Sequence, residues 1–161
     1  MRIEAFLRES PLFAVTSAAR RFEALTARVL EEDEISFLEA LVLAGIFFEA
    51  PKPVRPSSLA ETFGTTRGNV SHCVSSLEAK GLLQRKIDPE DARAYRLTLK
   101  PQGKKAAVRV IGAFDRLQRV FEHDAGKAAL REMLKVLGRV ETVFAASVTK
   151  KRKRQQRLQA N

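Results

Sequence analysis

Apolar residues recur at helical spacing at Val15, Ala18, Ala19, Phe22, Leu25, Val29 and Leu30, while Arg20, Arg21, Glu23 and Arg28 fall largely outside that stripe. The pattern predicts an amphipathic helix with one face to bury. Ser10-Pro11 supplies its start, a capping side chain followed by a proline whose missing N–H is not needed at the first helical position. The acidic run Glu31-Glu32-Asp33-Glu34 breaks the pattern. Over residues 35–49 the apolar positions nearly encircle the predicted second helix, which places it at the centre of a core. Pro51, Pro53 and Pro56 cannot lie inside a helix, so residues 50–56 read as a rigid loop. A short helix follows over residues 57–63.

The segment from Gly64 to Gly81 carries the most information. Gly64 ends the short helix and Thr66 is a candidate N-cap. Val70, Val74 and Leu77 then repeat at helical spacing until Gly81 supplies a left-handed stop. Two helices joined by a three-residue turn make a helix-turn-helix, in which the first braces the second against DNA. The second helix, about 14 residues and about 21 Å long, fits a major groove about 12 Å wide. Its outward face is short and polar: Arg67, Gly68, Asn69, Ser71, His72 and Ser75.

After Gly81 the period changes to two. Leu83, Arg85 and Ile87 alternate with Gln84 and Lys86, and Tyr95, Leu97 and Leu99 alternate with Arg96, Thr98 and Lys100. This predicts a two-stranded hairpin with residues 88–93 as its loop. Pro101 and Gly103 open a long helix with apolar positions at Val110, Ile111, Phe114, Leu117 and Phe121. After a break near residues 124–126, a final helix spaces Leu130, Leu137 and Phe144 seven apart, enough to pack along another helix.

Charge adds a partner to this picture. The 161 residues hold 29 Lys+Arg against 19 Asp+Glu, a net charge of +10. Such an excess suits a polyanion. The longest near-continuous apolar stretch, Ala40 to Phe48, is less than half of the roughly 20 residues a membrane-spanning helix needs. The N-terminus mixes Arg2, Glu4, Arg8 and Glu9 into its apolar positions, unlike a secretory signal. A cytoplasmic protein without membrane contact is the expectation. The single Cys73 cannot form an internal disulfide, and with only His72 and His123 to join it no metal set is expected. Gly64 and Gly68 lack the Lys-Ser or Lys-Thr pair of a phosphate loop, and no local motif suggests a Ser-His-Asp grouping, so neither an enzyme nor a cofactor is expected. Cys73 reads as a small core residue between Val70 and Leu77 in preference to a redox sensor. His123 reads as a surface residue at a helix end. Lys150-Lys151-Arg152-Lys153-Arg154 with Arg157 puts six positive charges and no acidic residue in a tail, read as a disordered arm or helix end that adds nonspecific phosphate contacts.

The run Leu59-Ala60-Glu61, Gly64, Thr66-Arg67, Val70-Ser71, Leu77-Glu78-Ala79-Lys80-Gly81-Leu82, then Arg85, Asp88-Pro89-Glu90-Asp91-Ala92-Arg93 and Leu97-Thr98-Leu99, resembles the MarR family of transcription regulators. The resemblance implies a mainly α chain with a small β-hairpin wing. Residues 10–34 form an N-terminal dimerisation helix, 35–103 a winged helix-turn-helix, 104–149 the C-terminal dimerisation helices and 150–161 a basic tail. It further implies a bacterial or archaeal homodimer on double-stranded DNA at a pseudo-palindromic operator. The recognition helix enters the major groove and a wing-tip arginine, here Arg93, enters the minor groove. The DNA-binding residues are then Thr66, Arg67, Asn69, Ser71, His72, Ser75, Arg85, Lys86, Asp91 and Arg93. Arg67 can fork onto guanine or phosphate, Asn69 can pair with adenine, and Ser71 can donate to a base edge or phosphate. His72 departs from the arginine or other long polar residue many relatives carry. Asp91 is placed to hold the Arg93 guanidinium, which a narrow minor groove attracts. A small aromatic effector is a candidate, with some of the ten phenylalanines lining its pocket. Repression is the expected sign, because an occupied promoter blocks polymerase. An architectural DNA binder of low specificity and a winged-helix adaptor for proteins are the alternatives.

Overall fold

The computed structural model describes residues 3–31, 34–89 and 91–159; Arg8, Ala92, Arg93 and residues 148–159 are described in backbone only. In chain order the elements are α1 (Ile3–Glu9), α2 (Pro11–Val29), α3 (Phe37–Glu49), α4 (Pro56–Thr62), α5 (Arg67–Ala79), β1 (Leu83–Asp88), β2 (Asp91–Leu99), α6 (Pro101–Ala125) and α7 (Lys127–Gln159). Two units are compact by themselves, Met1–Phe114 and Asp115–Asn161.

The first unit holds the core, and α3 is its centre. Ser36 caps α3 by accepting from the Glu39 backbone N–H at 3.2 Å, and the Glu39 carboxylate accepts from the Ser36 N–H at 2.7 Å. This reciprocal capping box fixes where the helix begins. Ala40, Val42, Leu43 and Ile46 are then buried against Leu59, Ala60, Val70, Val74 and Leu77 from α4 and α5. Gly45 lets α4 approach, since a Cβ there would sit 3.1 Å from both Leu59 and Phe63.

Helix ends follow the glycines. At α4, Thr65 N–H reaches the Ala60 carbonyl at 3.0 Å with Gly64 at φ +60; at α5, Leu82 N–H reaches the Leu77 carbonyl at 2.9 Å with Gly81 at φ +72. Both satisfy carbonyls that a helix end leaves open. Ser10 caps α2 as expected, accepting from Phe13 N–H at 3.4 Å, and Gly126 separates α6 from α7 at φ +79.

Three features differ from the sequence expectation. Helix α1 has no counterpart in the sequence pattern, because seven residues with charges mixed among the apolar positions show no clear stripe. The hairpin is longer than the alternation predicts: Asp88 pairs with Asp91, so both stand on strands and not in the expected 88–93 loop. The ladder shifts register between Ile87, paired with Tyr95, and Asp88, leaving residues 92–94 as a bulge on β2. Asp88, expected at the start of the loop, is fully buried. Finally, the backbone of α7 continues as helix to Gln159, so the basic segment is a helix end. Its charged side chains lie outside the described residues.

Candidate nucleic-acid interface

Thr66 accepts from the Asn69 backbone N–H at 3.1 Å and so caps α5. Val70, Cys73, Val74 and Leu77 bury the inward face, which turns Arg67, Gly68, Asn69, Ser71, His72 and Ser75 outward, all of them exposed. The helix therefore presents an outward face without an apolar side chain at these positions.

Hydrogen bonds divide this face into two kinds of residue. Thr66 is spent on the cap, and Asn69 Nδ2 donates to Thr65 Oγ1 at 3.0 Å, which orients the amide. Ser75 accepts from Arg85 Nη2 at 3.0 Å, while Arg85 Nε donates to Glu78 Oε2 at 2.8 Å and its backbone N–H donates to Glu78 Oε1 at 3.1 Å. The hydrogen bonds from Arg85 hold the Glu78 carboxyl below its ordinary range. Ser75 and Arg85 thus brace α5 against β1. Arg67, Ser71 and His72 remain outward on α5, and Lys86 is exposed on β1.

At the C-terminal end of α5, Lys80 Nζ donates to the Glu34 carbonyl at 2.6 Å and to the Glu39 carboxylate at 3.2 Å. Burial raises the Glu39 pKa, but hydrogen bonds from Ser76, Ser36 and Lys80 outweigh it and bring the carboxyl below its ordinary value. This clamp ties the recognition helix to the start of α3. Cys73 is buried, and desolvation pushes its thiol up, away from the thiolate that a redox role needs.

The wing meets the recognition helix at an open notch of about 320 Å³ lined by Arg55, Pro56, Ser57, Arg67, Asp91, Ala94 and Tyr95. The structure therefore brings Arg67 and Asp91 together. The placing of Arg93 in the minor groove and its pairing with Asp91 rest on a side chain outside the described residues. Behind the notch, Asp88 accepts from Arg55 Nε at 2.8 Å and Arg55 Nη2 at 2.6 Å, and its other oxygen accepts from Arg96 Nη2 at 2.7 Å. Arg55, Tyr95 and Arg96 carry no functional signal in the sequence pattern. Arg55 lies in a proline-rich segment that carried only a loop signal, and Arg96 and Tyr95 read as routine members of an alternating strand. No group of three or more metal-ligating side chains occurs among the described residues, and none of their helices is long and apolar enough to cross a membrane.

A helix pair joined by a tight turn, followed by a two-stranded wing, defines the winged helix-turn-helix class. Residues 50–95 match the model of the MarR family, a stretch that spans α4, α5, β1 and the first part of β2. A proposed transcriptional regulatory protein for the hcr operon of Thauera aromatica is 34% identical over 95 residues, a match that spans 57% of this chain and 57% of that relative. Among solved structures, the DNA complex of MepR from S. aureus superposes with a TM-score of 0.77 at 17% identity, covering 83% of this chain and 98% of that one. BldR from Sulfolobus solfataricus gives 0.70 at 20% identity, covering 88% and 98%. PcaV from Streptomyces coelicolor, solved with its natural ligand, gives 0.70 at 22% identity, covering 84% and 94%. At these identities the structures establish the fold.

Proposed function

We propose that this chain is a cytoplasmic regulator that binds a pseudo-palindromic operator as a homodimer and represses transcription there. The observation that carries the reading is the outward face of α5, polar and exposed from Arg67 to Ser75, capped at one end, clamped at the other and flanked by a wing. Such a helix can place Arg67, Asn69 and Ser71 against base edges or phosphates in the major groove, while the wing lies over the adjacent minor groove.

The dimer rests on uncovered apolar surface. Helix α2 is amphipathic, yet none of its residues is buried, and Leu12, Phe13, Val15, Leu25 and Val29 are exposed together with Ile3 and Phe6 of α1. In the second unit Met133, Leu134, Val143 and Phe144 are exposed along α7. A stripe this long marks an interaction surface, and a second copy is the partner that also supplies a second recognition helix about 34 Å away. For the effector, an open cleft of about 530 Å³ between α3 and α4, lined by Phe48, Leu59 and Phe63 with Arg55 and Arg96 at its edge, offers an aromatic ring an apolar floor.

Selection of duplexes from a random pool tests the reading. A regulator enriches an inverted repeat whose half-sites are about 10 base pairs apart, centre to centre. Flat enrichment supports the architectural alternative, and no enrichment the protein adaptor.

A further inference from the structure

We propose that Arg55, with Arg67 and Tyr95, seats a single phosphodiester of the DNA backbone in the notch between recognition helix and wing, and that Asp88 is the positioning residue that holds Arg55 there. This rests on the DNA-binding reading above and adds to it a contact that the motif did not supply.

Arg55 and Arg67 come from different segments and converge on one open notch, with Tyr95 half-exposed beside them. The position matters. A strand that separates the major groove occupied by α5 from the minor groove beside the wing must cross between these two elements, and what it carries there is phosphate. Among the described residues Asp91 is the one acidic side chain lining the notch, and the guanidiniums of Arg55 and Arg67 outweigh it.

Asp88 explains how Arg55 is aimed. Its side chain is 0% exposed, whereas the Arg55 side chain is 43% exposed. Taking a carboxylate out of water is costly unless cations and hydrogen bonds compensate it, and two arginines share this one. The Nε and Nη2 atoms of Arg55 grip Asp88. A planar guanidinium held along one edge presents its other nitrogen, Nη1, in a fixed direction. The acid lies inside and the cationic edge outside, so the arrangement displays positive charge to solvent while fixing its geometry.

The test uses the full chain and a mixed-sequence duplex, with affinity measured by fluorescence anisotropy over a series of salt concentrations and fold checked by circular dichroism. Failure of the parent to bind any duplex would sink the DNA-binding reading itself. Given a parent that binds, Arg55→Gln should weaken binding about tenfold and flatten the plot of log affinity against log salt by about 0.9 for each seat lost. Asp88→Asn is more telling. Net charge alone predicts tighter binding when an acid is removed, whereas the seat predicts weaker binding with the same flattening, and no further loss in the Arg55→Gln/Asp88→Asn double variant. Arg55→Gln with the parental slope, or Asp88→Asn that binds more tightly, overturns the proposal. If Asp88→Asn does not fold, Arg55→Gln decides, because Asp88 keeps its Arg96 partner there.

Discussion

Gly103→Ala is expected to destabilise the winged domain by about 3 kcal/mol, the upper end of the usual cost of overpacking. Gly103 is buried in the first turn of α6, and a Cβ there would fall on the Leu82 carbonyl oxygen. A side chain in that place could swing aside; a peptide carbonyl cannot do so cheaply. Leu82 is held on both sides, its N–H donating to the Leu77 carbonyl at 2.9 Å and its own carbonyl accepting from Lys100 N–H at 3.0 Å. Room for the methyl group therefore requires moving α6, the end of α5 or the first residues of β1. Urea denaturation reads the effect as a lower midpoint with the slope unchanged. A midpoint equal to the parent's would show that α6 does not pack on Leu82 as described.

The second large effect falls on assembly. Leu25→Glu combined with Val29→Glu should convert the proposed dimer to a monomer and lower affinity for a palindromic duplex by about 10²- to 10⁴-fold, the gain normally lost when two linked contacts become independent. Both side chains are exposed on α2, a helix with no buried residue, so the substitutions remove nothing from the core. Light scattering reports the association state, and anisotropy with whole and half operators reports the affinity. A double variant that stays dimeric and keeps its operator affinity would place the dimer contact elsewhere.

How much of this was legible in the sequence depends on how local the signal was. The recognition helix was legible because a cap, a run of inward apolar residues and a glycine stop agreed over a few residues; Val70, Val74 and Leu77 are buried as their spacing predicts, and Gly64 and Gly81 have positive φ. The core role of α3 is legible for the same reason, and its Ser36–Glu39 capping box adds a local start signal. Long-range polar contacts left no such trace. Nothing in the alternation of β1 marks Asp88 as turning inward, because its partners Arg55 and Arg96 stand in a loop and on the facing strand. Likewise Arg85 and Ser75 looked like two independent DNA contacts, and the fold spends them on each other and on Glu78. Sequence patterning shows which face a residue takes; which polar neighbour it meets there is settled by tertiary structure.

The face of α5 from Arg67 to Ser75 is proposed to read base pairs. Its most direct test is to repeat the duplex selection with Asn69→Ala. Asn69 is exposed and its amide is held by Thr65 alone among the described hydrogen bonds, so the substitution leaves the core untouched and keeps the Thr66 cap, which uses the backbone N–H. The same inverted repeat is expected, with preference relaxed at one base pair in each half-site, a loss of about 1 to 3 kcal/mol of discrimination there. An Asn69→Ala protein that selects the parent's sequence unchanged at every position would contradict it.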